Sequence, residues 1–151
     1  QFMRPCLLRT ISSKCCYLGI LKLKFIIVHT KAKTFVKEAL KIAEDLNNND
    51  LKILALANLG ALESYIGYYF KALETLNEAE LLITDTSNYE NIRELYNQFV
   101  NVFYNMKNKE KRREYIEKIL EIYRLNKIKK DNNYIVELYN YSFLLNSKKE
   151  N

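Results

Sequence analysis

A chain of 151 residues that is 48% hydrophobic, with a mean hydropathy of −0.29, has the core-to-surface balance of one soluble globular domain. One proline and three glycines leave too little turn chemistry for a many-stranded sheet, which favours helices. The net charge of +6 is split between a basic segment 1–38 (eight Lys/Arg against one acid), an acidic segment 39–106 (four against ten) and a basic segment 107–151 (twelve against seven), a layout that argues against a uniform nucleic-acid-binding face.

The first 28 residues read as a degenerate or truncated helix, 6–28, ahead of a helical domain at 29–151. Arg4, Arg9 and Lys14 precede the apolar run Tyr17–Val28, faintly like a secretory leader. Lys22 and Lys24 interrupt that run, however, and it is shorter than the ~20 residues of a membrane span. Cys6, Cys15 and Cys16 are odd in number and make no C-x-x-C pair, so neither a disulfide framework nor a zinc site is expected, and a reduced cytoplasmic setting is the simplest account.

From there six amphipathic segments follow, at 31–46, 51–66, 69–83, 89–106, 110–125 and 132–147. In the first, Ala32, Phe35, Val36, Ala39, Ala43 and Leu46 recur at helical steps of three and four. Tyr69, Ala72, Leu73, Leu76 and Ala79 repeat the rhythm forty residues later, so that Ala32/Ala39 and Ala72/Ala79 correspond. A third copy carries Tyr115, Ile116, Ile119, Leu120 and Tyr123. Asp50 and Ser87 are candidate helix N-caps, and Gly67 stands where a hairpin must reverse. Counting 6–28, the seven helices make three antiparallel hairpins and a closing half. The closing segment, with Tyr134, Ile135, Leu138, Tyr139, Phe143, Leu144 and Leu145, is unusually apolar for an end helix. It is expected to pack back on its neighbours or to pair with a second copy as a homodimer.

Asn58-Leu59-Gly60, followed by Gly67, Tyr69, Ala72 and Ala79, resembles the tetratricopeptide-repeat pattern, with its Leu-Gly pair and two small residues. The match is best over 53–83, weaker over 32–46 and degenerate over 89–125. Leu56 and Glu63 stand where that family has aromatic residues, and the period is near forty residues, not the usual ~34. The resemblance implies an all-α, right-handed superhelical stack of about three and a half hairpins whose concave face holds a peptide.

No residues arranged for catalysis stand out. His29 is the single histidine and reads as a helix-end or turn residue, no glycine-rich phosphate loop exists, and no Cys/His/Asp cluster has metal-ligand spacing. Neither enzymatic activity nor a cofactor is expected, nor direct nucleic-acid or membrane binding. Carboxylate pairs such as Glu78/Glu80 and the basic run Lys107–Arg113 read as solvated surface. The amides are another matter. Aligning LALANL, ELYNQF and ELYNYS brings Asn58, Asn97/Gln98 and Asn140/Tyr141 into correspondence, and Asn101 lies one turn beyond Asn97. Asparagine is an indifferent helix former, so several on one face want a reason. Each amide offers both an acceptor and donors, which suits the backbone of an extended peptide. Asn58, Asn97, Gln98, Asn101 and Asn140, with Tyr65 and Tyr104 to pack side chains, are therefore the candidate binding residues. The leading expectation is a protein- or peptide-binding scaffold. The alternatives are the peptide-sensing half of a bacterial transcriptional regulator whose DNA-binding head lies elsewhere, and a regulatory subunit of an enzyme.

Overall fold

The computed structural model describes residues 29–126 and 132–146, and every regular element among them is an α-helix. The expected helix 6–28 lies outside the described residues. The chain divides into two compact units, 1–35 and 36–151. Helix α1 runs through 29–45 and is followed by α2 (Asn49–Tyr65), α3 (Tyr69–Glu80), α4 (Tyr89–Asn105), α5 (Lys109–Leu125) and α6 (Asn132–Asn146). In the second unit α2 packs on α3 and α4, α4 also on α3 and α5, and α5 on α6.

The helix links follow one local design. The residue that ends each turn is left-handed at Asn47 (φ 48°), Gly67 (φ 88°) and Lys107 (φ 57°). In all three the next amide reaches back to a carbonyl five residues earlier, Asn48 to Ala43, Tyr68 to Glu63 and Asn108 to Phe103, which closes a Schellman turn. That same residue then serves as N-cap of the following helix. Caps fall at Asn48, Tyr68, Asn88 and Asn108, each twenty residues after the last. Asn48 and Asn108 accept from the third amide of their helices, Leu51 and Lys111, through Oδ1. Links this short leave α2–α3 and α4–α5 no arrangement but the antiparallel hairpin.

Asp50 and Ser87, expected as caps, have other partners. Asp50 Oδ1 accepts from the Asn88 amide at 2.9 Å, while its own carbonyl takes Asn91 Nδ2 at 3.2 Å, so the N-terminal ends of α2 and α4 are tied together. Ser87 Oγ accepts from the Thr84 amide and closes the longer link ahead of α4. Helix α3 stops at Glu80, short of the expected 83, because Leu82 and Ile83 bond to carbonyls only three residues back and tighten the chain out of α geometry.

Between α2 and α3 the approach is set by small residues. A Cβ on Gly60 would stand 2.6 Å from Leu76 Cδ2 and 3.4 Å from the Ala72 carbonyl, and Ala72, Leu76 and Ala79 are fully buried. Nearby, the carboxylate of Glu63 is buried, where Thr75 Oγ1 donates to it at 2.7 Å and Lys71 Nζ lies 3.5 Å away. A polar group at such depth needs partners, and both Thr75 and Lys71 reach it. The α4–α5 half is aromatic: Phe99 stacks on Tyr115 at 4.2 Å between centroids, and Phe103 and Tyr96 close around the same ring. Glu80, expected in solvent, instead receives Tyr115 OH at 3.1 Å and Lys118 Nζ at 2.9 Å. Burial, and then the Glu80 charge, pushes the Tyr115 phenol far above its usual range.

The expected apolar faces of α3, α4 and α5 all lie in or against the core. That of α1 does so only in part. Leu40 packs on the core and Ala43 is buried, whereas Ala39 and Leu46 are exposed. Apolar residues on α1 are dense enough to form two overlapping stripes, and packing selects the one through Leu40 and Ala43.

Candidate functional site

Helices α4 and α6 each carry the tetrapeptide Glu-Leu-Tyr-Asn, and in each it begins at the sixth residue of the helix. Its first and fourth residues stand three apart and share a face. As α6 packs on α5 and leaves a gap to α4, those faces meet across an open cleft of about 580 Å3. Glu94 and Asn97 line it from one side, Glu137 and Asn140 from the other, and Gln98, Asn101 and Tyr104 continue the α4 wall.

The amides are wired to one another and to charges. Gln98 Nε2 donates to Glu94 at 2.6 Å, Asn101 Nδ2 donates to Gln98 Oε1 at 3.4 Å, and Arg112 Nη2 donates to Asn140 Oδ1 at 3.2 Å. Asn97 spends no side-chain bond on the described protein, and the Asn101 carbonyl oxygen is likewise left without a partner among the described residues. Arg112 also lays its guanidinium 4.9 Å from the Tyr104 ring centroid, which joins the α5 end of the cleft to α4.

Glu137 differs from the other carboxylates. Its Oε2 is buried without a hydrogen-bond partner, and burial raises its pKa in spite of the Asn140 hydrogen bond and the positive charges of Arg112 and Arg93. A carboxyl whose folded pKa is raised contributes stability that is complete below its unfolded pKa and is lost as the pH climbs through the folded value. Glu137→Gln removes that loss. The stability of the native chain relative to Glu137→Gln is therefore expected to decline as the pH rises through and above the ordinary glutamate range, as measured by urea midpoints of both proteins. A constant difference over that range would show that the carboxyl ionises in the folded chain as it does in the unfolded one.

Five of the seven residues singled out from the sequence, Asn97, Gln98, Asn101, Tyr104 and Asn140, line this one cleft. Asn58 and Tyr65 do not. They lie with Val36, Ala61 and Leu62 along a separate shallow depression of about 400 Å3. The reason is the packing of α2. In the alignment of the three helices Ala57 stands where the others have Asn97 and Asn140, and it is fully buried. Where α4 and α6 stand apart, α2 and α4 close on each other. Reasoning from amides alone missed Glu94, Glu137 and Arg112, although the repeated Glu-Leu-Tyr-Asn was the signal for the first two.

Among the described residues no helix is long and apolar enough to cross a membrane, and no group of three His, Cys, Asp or Glu is placed to hold a metal ion. No protein-family model, curated protein or solved structure matches the chain.

Proposed function

We propose that this chain is a binding module, not a catalyst, and that it holds an extended segment of a partner protein in the α4–α6 cleft. The observation that carries this reading is the pair of Glu-Leu-Tyr-Asn motifs facing each other, with Asn97 and the Asn101 carbonyl left to meet a peptide backbone. Wired amides with spare donors and acceptors are held in place before the ligand arrives, which lowers the ordering cost of binding. The architecture we propose is a right-handed superhelical stack of hairpins similar to tetratricopeptide repeats. The N-caps at twenty-residue intervals, the neighbour pattern of α2 through α6 and the tight seat of Gly60 against α3 support it.

The test starts from a peptide-display library panned on the whole chain. For the tightest peptide, Asn97→Ala/Asn101→Ala is expected to weaken binding about tenfold or more with an unchanged melting temperature, each lost amide contact being worth about 1 kcal/mol. Asn58→Ala is expected to change nothing, since it borders the other depression. Selection of no peptide, or equal affinity in the double variant, would end this reading.

A further inference from the structure

Just beyond the cleft, the C-terminal ends of α4 and α6 enclose a second opening. Its walls are Phe103, Phe143 and Leu144, and its rim is Lys107, Lys109 and Arg112. At about 230 Å3 the slot is smaller than the ~300–1,000 Å3 of small-molecule sites, so it suits one large apolar side chain. It opens beside the Tyr104–Arg112 pair, which borders the cleft as well, so the two openings adjoin and one extended segment can reach both.

Two of the three rim cations are uncompensated among the described residues. Lys107 and Lys109 are exposed and enter no ion pair among the described residues, in contrast to Lys111, which is bound to Glu114. Arg112 gives Nη2 to Asn140 and keeps a buried Nε without a partner. Lys107 is also held at φ 57°, in the position that Gly67 fills in the preceding hairpin. Left-handed backbone disfavours a side chain there, and the turn itself is better served by glycine. A cation standing in that disfavoured conformation, at the mouth of an apolar slot, points to use at a site.

We infer that the partner segment carries a bulky apolar residue flanked by Asp or Glu, with the apolar side chain in the Phe103–Phe143–Leu144 slot and the carboxylates against Lys107, Lys109 and Arg112. This inference rests on the reading of the cleft as a peptide site and names the chemistry of its ligand.

The experiment measures fluorescence anisotropy with synthetic peptides: a glutamate-flanked phenylalanine, the same peptide with lysine flanks, and the same with alanine in place of phenylalanine. The acidic peptide is expected to bind at least tenfold tighter than either relative at low ionic strength, with the margin over the lysine peptide shrinking in high salt. Lys107→Gly/Lys109→Ala is expected to weaken the acidic peptide about tenfold while the urea midpoint holds or rises, because glycine relieves the left-handed position. Phe143→Ala, at a side chain 59% exposed, is expected to abolish the preference for phenylalanine over alanine without unfolding the chain. Peptides bound equally whatever their flanks, a rim variant with undiminished affinity, or a single-stranded oligonucleotide that competes as well as the acidic peptide would each overturn the inference. If the acidic peptide binds with these preferences but is indifferent to Asn97→Ala/Asn101→Ala, the cleft reading fails and the slot stands by itself.

Discussion

Phe99→Ala is expected to cost about 3–5 kcal/mol of folding stability, since Phe99 is the largest fully buried side chain among the described residues. The ring is 1% exposed and is stacked 4.2 Å from Tyr115 and 6.2 Å from Phe103. Its removal opens a cavity at the place where α4 and α5 meet, and the stiff neighbouring rings collapse into it poorly. Tyr115 is further pinned by its hydrogen bond to Glu80, so it cannot swing into the void without giving up that partner. Urea unfolding followed by far-UV circular dichroism measures the effect. A loss below about 1 kcal/mol would mean that the α4–α5 contact is not the centre of the core.

The second large effect separates two alanines that the sequence pattern treats alike. Ala72→Leu is expected to cost about 1–3 kcal/mol, because the side chain is fully buried where α3 meets Gly60 and has no room to extend. Ala39→Leu, in a helix whose alanines obey the same seven-residue spacing, is expected to stay within about 0.5 kcal/mol because Ala39 faces solvent. Both variants go through the same urea titration. Equal midpoints would show that α1 and α3 bury equivalent faces after all, and that the forty-residue correspondence extends to packing.

That contrast marks how far pattern reaches. The helical class was legible in composition and periodicity, since one proline, three glycines and apolar steps of three and four favour helix over strand. The reversal at Gly67 was legible for the same reason, a left-handed turn being cheapest at glycine. The equivalent turns at Asn47 and Lys107 were not, because nothing local marks those residues as left-handed. Only the hydrogen bonds of the neighbouring helix ends hold them there.

The candidate site divides along the same line. Sequence by itself determined which residues are amides on helical faces, and the doubled Glu-Leu-Tyr-Asn made α4 and α6 counterparts. Tertiary structure decided which of those amides share a space. Asn97 and Asn140 face each other because α6 leans on α5 and leaves α4 free on that side, while Asn58 is parted from them because Ala57 and its neighbours let α2 close against α4. The unpartnered Glu137 oxygen and the Lys107–Lys109–Arg112 rim belong to structure alone. Periodicity specifies the side of a helix on which a residue lies; the distance to the next helix depends on the volumes of side chains remote in sequence, and that distance makes the difference between a buried contact and a cleft.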